Sequence, residues 1–173
     1  MGTWVRVNGK IDLNLYHIYD RLNEYGHPLS SYRYEHFKLV QQQIKKWIER
    51  SFHKHLDQGF TCDKHCSVVF DESTAYHSPY DTLEDPINNN NRYSVSQYDY
   101  VTVYINVWDR NGLLEGGKAF VDNVLHTLQS NGCFVNFTTM INVTADYAPE
   151  QLIVYNGDKS VEVTVKQWGY DGQ

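Results

Sequence analysis

The sequence lacks the usual marks of chemistry. It contains neither G-x-x-x-x-G-K-[ST] nor G-x-G-x-x-G, so no glycine-rich loop is offered to a nucleotide phosphate. Cysteine is scarce, with three in 173 residues, and neither Cys62 nor Cys133 stands in a local nucleophile signature. The carboxylate doublets Asp71-Glu72 and Glu84-Asp85 are adjacent in sequence. On a strand such neighbours point to opposite faces, so neither doublet is a ready acid–base pair. No stretch of 18 apolar residues occurs, which excludes a membrane-spanning helix. The opening Met1–Lys10 has no apolar signal-peptide core, so a cytoplasmic, reducing location is expected. The sequons at Asn136 and Asn142 are then chance matches. Position six is Arg rather than Ser or Thr, which argues against myristoylation at Gly2. No internal repeat is present, and only Asn88–Asn91 approaches low complexity.

What is present is architectural. At this length one domain spanning 1–173 with a sizeable core is expected. Val101, Val103, Ile105 and Val107 alternate with Tyr100, Thr102, Tyr104, Asn106 and Trp108. A period of two puts the aliphatic set on one face of a strand and the aromatic and polar set on the other. Asp109 to Gly112 supplies a turn. The period then becomes 3.6. Phe120, Val121, Val124, Leu125 and Leu128 share one arc of a helix, while Asp122, His126 and Gln129 face away. Asn131-Gly132 ends that helix, and Gly116-Gly117 near its start reads as a loop feature. From Cys133 through Val135, Phe137, Thr139 and Ile141 to Val143 the alternation resumes, predicting a returning strand.

The remaining elements are read in the same way. Trp4 to Leu13 is a strand or a hairpin, with Asn8-Gly9 as its turn signal or as a bulge. Tyr16 to Gly26 holds a short helix stopped at Pro28. Ser31 to Gln58 is a long helix with a stripe of Phe37, Val40, Ile44, Ile48 and Ser51, flanked by Trp47 and Phe52. Its basic residues, from Lys38 to Lys54, suit a helix that covers a sheet with its charges in water. A strand covers Ser67 to Phe70, and Asn156-Gly157 closes a hairpin between Leu152 and Trp168. The class is therefore α+β: a mostly antiparallel sheet with two main helices on one face, of ferredoxin-like layout.

Between about 71 and 97 lies a long irregular loop, and loops of this length are usually functional or disordered. Tyr76, Tyr80, Asp81, Glu84 and Asp85 are its candidate contact residues, because Tyr covers much area at low entropic cost. The outer strand face, Tyr100, Tyr104 and Trp108, is a second candidate surface if both helices cover the aliphatic face. Charge is divided unevenly. Up to Gln58 there are nine Lys/Arg against six Asp/Glu, and beyond it six against fifteen, so +3 and −9 sum to −6. The acidic second half suits a basic protein surface and makes nucleic acid an unlikely partner. His55, Cys62, His65 and Cys66 make a candidate zinc set, since thiolate and imidazole at short spacing suit tetrahedral zinc. The C-x-x-x-C spacing and the adjacency of His65 and Cys66 count against it. The expectation without metal is that no cofactor is held.

The opening Trp4-Val5-Arg6-Val7-Asn8-Gly9-Lys10-Ile11 resembles the first strand of small bacteriophage accessory proteins, which begin W-V-x-V-x-G-x-I. Their strand, helix and returning strand are similar in layout to Tyr100–Val143. The resemblance implies a phage protein in a bacterial cytoplasm that binds another protein, as anti-CRISPR and other anti-defence inhibitors do. Residues 38 to 168 are also similar in element order to phage tail terminators, which implies a ring-forming virion component and a homo-oligomer. Neither resemblance carries a functional residue. The function expected is thus a non-enzymatic inhibitor that binds a host protein, with virion assembly and zinc binding as the alternatives.

Overall fold

The computed structural model describes residues 4–15, 17–18, 33–57, 63–71, 100–110, 112–146, 148–156 and 159–165. Among these residues seven strands and two long helices follow in chain order. They are β1 (Trp4–Asn14), α1 (Arg33–His55), β2 (Lys64–Asp71), β3 (Tyr100–Arg110), α2 (Leu114–Ser130), β4 (Phe134–Val135), β5 (Met140–Ala145), β6 (Glu150–Asn156) and β7 (Lys159–Val165). One sheet runs β2-β3-β1-β5-β6-β7, with the short β4 also paired to β1. Every pairing is antiparallel. The fold is α+β. It is a mostly antiparallel sheet with two main helices, as expected from the sequence, and the β6–β7 hairpin extends the sheet beyond β5.

The sheet has one covered face. Val7, Ile11 and Leu13 of β1 lie in register with Val107, Val103 and Val101 of β3, Val7 also with Val143 of β5, and all are buried, as is Val5. Phe37, Val40, Ile44, Ile48 and Phe52 of α1 close over them, as do Phe120, Val121, Val124, Leu125 and Leu128 of α2. Each such side chain contributes about 1.5–3 kcal/mol when fully buried, so this shared core dominates the stability. Ser51 is buried in the α1 stripe because its hydroxyl donates to Asn123 Oδ1 of α2 at 2.5 Å. An unpaired buried hydroxyl would cost about 1–3 kcal/mol there.

Two expected features take a different form. β1 is neither a hairpin nor bulged: its register with β3 runs unbroken from Trp4↔Arg110 to Asn14↔Tyr100. Gly9 is needed because β5 comes close, and a Cβ there would lie 2.2 Å from the Met140 carbonyl oxygen. Gly116 and Gly117 are part of the first turn of α2 rather than a loop. A Cβ on Gly117 would meet Val143 Cγ1 at 2.7 Å and Val5 Cγ2 at 3.0 Å, so glycine lets the helix settle onto the sheet. At its other end α2 stops as expected. Gly132 has φ 92°, Gly132 N–H donates to the Gln129 carbonyl, and Cys133 N–H donates to the Leu128 carbonyl. That is the Schellman pattern, with Leu128 and Cys133 both buried.

The returning strand is broken in two. Its partners on β1 change from Leu13↔Val135 and Asn14↔Phe134 to Lys10↔Met140 and Gly9↔Ile141. Residues 136–139 therefore stand opposite only Ile11 and Asp12. Thr139 N–H donates to the Asn136 carbonyl at 3.0 Å, closing a turn. Phe137, expected on the buried side, is 75 % exposed at this turn.

Candidate binding face

The face of the sheet opposite the helices carries its own pattern. Across β2, β3, β1 and β5 the register sets out successive rows. One is His65, Trp108, Arg6 and Thr144, and the next is Ser67, Asn106, Asn8 and Asn142. Val69, Tyr104, Lys10 and Met140 follow, then Asp71, Thr102 and Asp12. Beyond Asn142 and Met140 lie Leu152 and Val154 of β6. Among the described residues, no helix packs on this side. Seven large hydrophobic side chains among the described residues are exposed, and five belong to this face or its rim: Val69 55 %, Tyr104 43 %, Phe134 53 %, Phe137 75 % and Met140 48 %. Leu39 and Leu113 are the other two.

Tyr100, Tyr104 and Trp108 all stand on this face, as their alternation predicts. Tyr104 is exposed, and Tyr100 and Trp108 are half-buried. Trp108 owes its cover to His65, whose ring stacks on it at 4.1 Å with the planes 22° apart. Arg6 lies 6.0 Å from the Trp4 ring centroid, within cation–π range. Tyr76, Tyr80, Asp81, Glu84 and Asp85 lie outside the described residues, as do Cys62, the short helix expected to Gly26 apart from residues 17 and 18, and Trp168, the expected end of the C-terminal hairpin.

Asp12 organises one end of the face. Its Oδ1 accepts Thr102 Oγ1 at 2.6 Å, and its Oδ2 accepts Thr138 Oγ1 at 2.6 Å and faces Lys10 Nζ at 3.1 Å. Its backbone joins in, because Asp12 N–H donates to Thr139 Oγ1 at 3.0 Å and Asn136 N–H donates to the Asp12 carbonyl at 2.8 Å. Burial pushes the Asp12 carboxyl up, but the two hydroxyls and the Lys10 ammonium outweigh it and hold it below the ordinary value. The turn that carries Phe137 is thus fastened to the central strand. Asp12, Phe134, Phe137 and Met140 are functional candidates that the sequence reading missed. Their signal was present only as the Thr138-Thr139 pair, whose role depends on a residue 126 positions away.

Of the candidate zinc set, the described His55, His65 and Cys66 are not brought to one point. His65 and Cys66 are adjacent on β2, so His65 projects onto the open face and Cys66 toward the helices. His55 sits on the last turn of α1, where its Nε2 is buried without a hydrogen-bond partner. Desolvation, with the nearby Lys54 charge, lowers its pKa. Among the described residues no group of three or more His, Cys, Asp or Glu is disposed around one point. Cys66 is also a poor nucleophile: burial first, then the Glu49 carboxylate, pushes its thiol up to about 11. Cys133 is fully buried.

A separate ionic cluster ties α1 to β2. Asp57 accepts Lys64 Nζ at 2.5 Å and His53 Nδ1 at 2.6 Å, and both lower its pKa. Buried Asp109, paired with Lys64 in the ladder, is pushed up by desolvation and by the Asp57 charge. These contacts hold secondary structure together. The described part of the cluster shows no nucleophile beside a base.

Comparison with protein-family models, with curated proteins and with solved structures finds no match. No helix among the described residues is long and apolar enough to cross a membrane. The open face is therefore the strongest guide to function.

Proposed function

We propose that this chain is a non-enzymatic protein-binding module, encoded by a phage, that inhibits or redirects a host defence protein in the bacterial cytoplasm. The observation that carries the reading is the gathering of exposed Val69, Tyr104, Phe134, Phe137 and Met140 on the one sheet face that neither helix covers. Exposed apolar side chains gathered on one face in this way mark contact surfaces. The surrounding residues support it. Trp108, Tyr104, Arg6 and a row of Asn106, Asn8 and Asn142 offer rigid aromatic area beside adaptable hydrogen-bonding groups, the mixture that protein-contact surfaces favour. The phage context rests on the W-V-x-V-x-G-x-I opening, which forms the central strand β1. The ferredoxin-like reading of the layout belongs to the same proposal. Tyr76, Tyr80, Asp81, Glu84 and Asp85 are its second contact region.

The test is phage plating on bacteria that carry a defence system, with and without this chain. The reading expects plating to rise with the chain. It expects the gain to vanish in a Tyr104→Ala/Met140→Ala double variant that remains folded. Unchanged plating across a panel of defence systems would overturn the inhibitor role. A rise that survives the double variant would move the contact off this face.

A further inference from the structure

We propose that a second copy of this chain is the occupant of the open sheet face, the two sheets packing against each other about a two-fold axis that runs between them. This rests on reading the face as the contact surface for the host protein, with the second copy holding it until that protein takes its place.

Four observations lead there. The exposed apolar side chains are arranged to be covered together. Val69, Tyr104 and Met140 share one register row with Lys10, Val154 extends it onto β6, and Phe134 and Phe137 rise beside it at the β4–β5 edge. An open sheet face with such a row suits another sheet, because stacked sheets meet through alternating residues about 10 Å apart.

The charges on this face balance. Arg6, Lys10 and Arg110 are set against Asp12, Asp71 and the Asp63 that binds Arg110 at 2.8 Å, leaving Glu150 at the β6 rim. The chain as a whole carries −6. The described part of the face carries only the Glu150 charge in excess, so two copies can meet there without bringing much like charge together.

The area is sufficient. Five strands about 4.8 Å apart and roughly eight residues long span about 24 by 26 Å, or roughly 600 Å² per copy. Two such faces bury about 1,200 Å², the lower limit for a specific, stable interface. A reversible dimer follows, one that responds to concentration.

Finally, the most exposed ring is already positioned. The Asp12 hydroxyl pairs hold the turn that bears Phe137, so little freedom remains to be lost on contact. Asp12 acts here as a positioning residue. It touches the turn and not the other copy.

Light scattering on the full chain tests this from about 1 µM to about 100 µM, where a weak reversible dimer shows its concentration dependence. The expected result is a rise in mass from one 20.2 kDa chain toward two. Phe137→Asp and Tyr104→Asp should each weaken the dimer at least about 30-fold, because each puts an unpaired charge where an apolar contact is buried. Leu39→Asp, exposed on α1, should leave it unchanged. Asp12→Asn should weaken it while the far-ultraviolet spectrum is kept. Alkylation of a Val69→Cys variant, followed by peptide mass, gives the second arm. Slower alkylation at high concentration supports the dimer. A chain that stays at one mass with position 69 freely alkylated overturns the second-copy proposal and leaves the open face for another protein. One mass with position 69 unreactive at every concentration overturns both readings. A dimer insensitive to Phe137→Asp and Tyr104→Asp, or a ring of about six chains, overturns the two-fold face-to-face packing.

Discussion

Thr138 Oγ1 donates to Asp12 Oδ2 at 2.6 Å, joining residues 126 positions apart in the chain. That hydrogen bond and the Thr102 contact to the other carboxylate oxygen fix the Asn136–Thr139 turn to the central strand. Phe137 is held out in solvent as a consequence.

Replacing Asp12 with Ala removes a charged acceptor from two hydroxyls and one ammonium. The expected loss is about 1.5–3 kcal/mol, the usual range for hydrogen bonds to a charged group. Urea unfolding measures it, and amide exchange at Asn136 and Thr139 should quicken more than exchange in α2. Equal quickening everywhere would mean that Asp12 has no special hold on the turn.

Two glycines separate local freedom from close packing. Gly117→Ala gains helix propensity of up to about 1 kcal/mol but drives a methyl against Val143 and Val5, so a net loss of about 1–2 kcal/mol is expected. Gly9→Ala should cost more, because the obstruction is the Met140 backbone carbonyl and has no rotamer to change. Denaturation midpoints of the two variants give the order directly.

The Asp57 and Asp109 carboxyls should pull stability in opposite directions with pH. Asp57 has a folded pKa below its ordinary value, held down by Lys64 and His53. Its contribution is present above about pH 4 and is lost as pH falls through the lowered value. Asp57→Asn should therefore cost about 1 kcal/mol at pH 7, allowing for the exposure of Lys64, and little at pH 3. Burial raises the folded pKa of Asp109, so its contribution is fully present below about pH 4 and fades as pH rises through the raised value. Asp109→Asn should raise the melting temperature at pH 7 by roughly 2–4 °C, equivalent to about 1 kcal/mol at this chain length. Melting curves at the two pH values check both signs.

Thiol chemistry offers an independent check on the packing of β2 against α1. With its pKa pushed up to about 11, Cys66 exposes roughly one thiolate in a thousand at pH 8. Iodoacetamide should modify Cys66 and Cys133 far more slowly than a free thiol, as followed by peptide mass. Rapid alkylation of Cys66 in the folded chain would contradict the burial that places it under α1.

Much of the fold was legible in the sequence because it depends on local period. The β3 alternation, the α2 arc, the α1 stripe and the Asn131-Gly132 stop are each decided by neighbours within a few residues. The broken return strand was hidden for a specific reason. Four residues on that strand stand opposite two on β1, and an insertion of two keeps the alternation in phase. Val135 and Ile141 therefore fall on the same face whether or not a turn intervenes, and Phe137 reads as core. Gly9 misleads in a similar way. Asn8-Gly9 is a strong hairpin signal, yet the need for glycine comes from β5, more than 130 positions away. Of the binding face, Tyr100, Tyr104 and Trp108 could be read from alternation. Phe134, Phe137, Met140 and their anchor Asp12 could not, because long-range register decides where they stand.

The measurement that bears most directly on the open face is hydroxyl-radical footprinting of the full chain, read by peptide mass, with the dilute chain compared against the associated one. Oxidation of Phe137, Tyr104 and Met140 should be strong when dilute and should fall together on association, while Leu39 and Leu113 stay unchanged. Protection confined to Leu39 and the helix side, with Phe137, Tyr104 and Met140 still reactive, would contradict the assignment of this face as the contact surface.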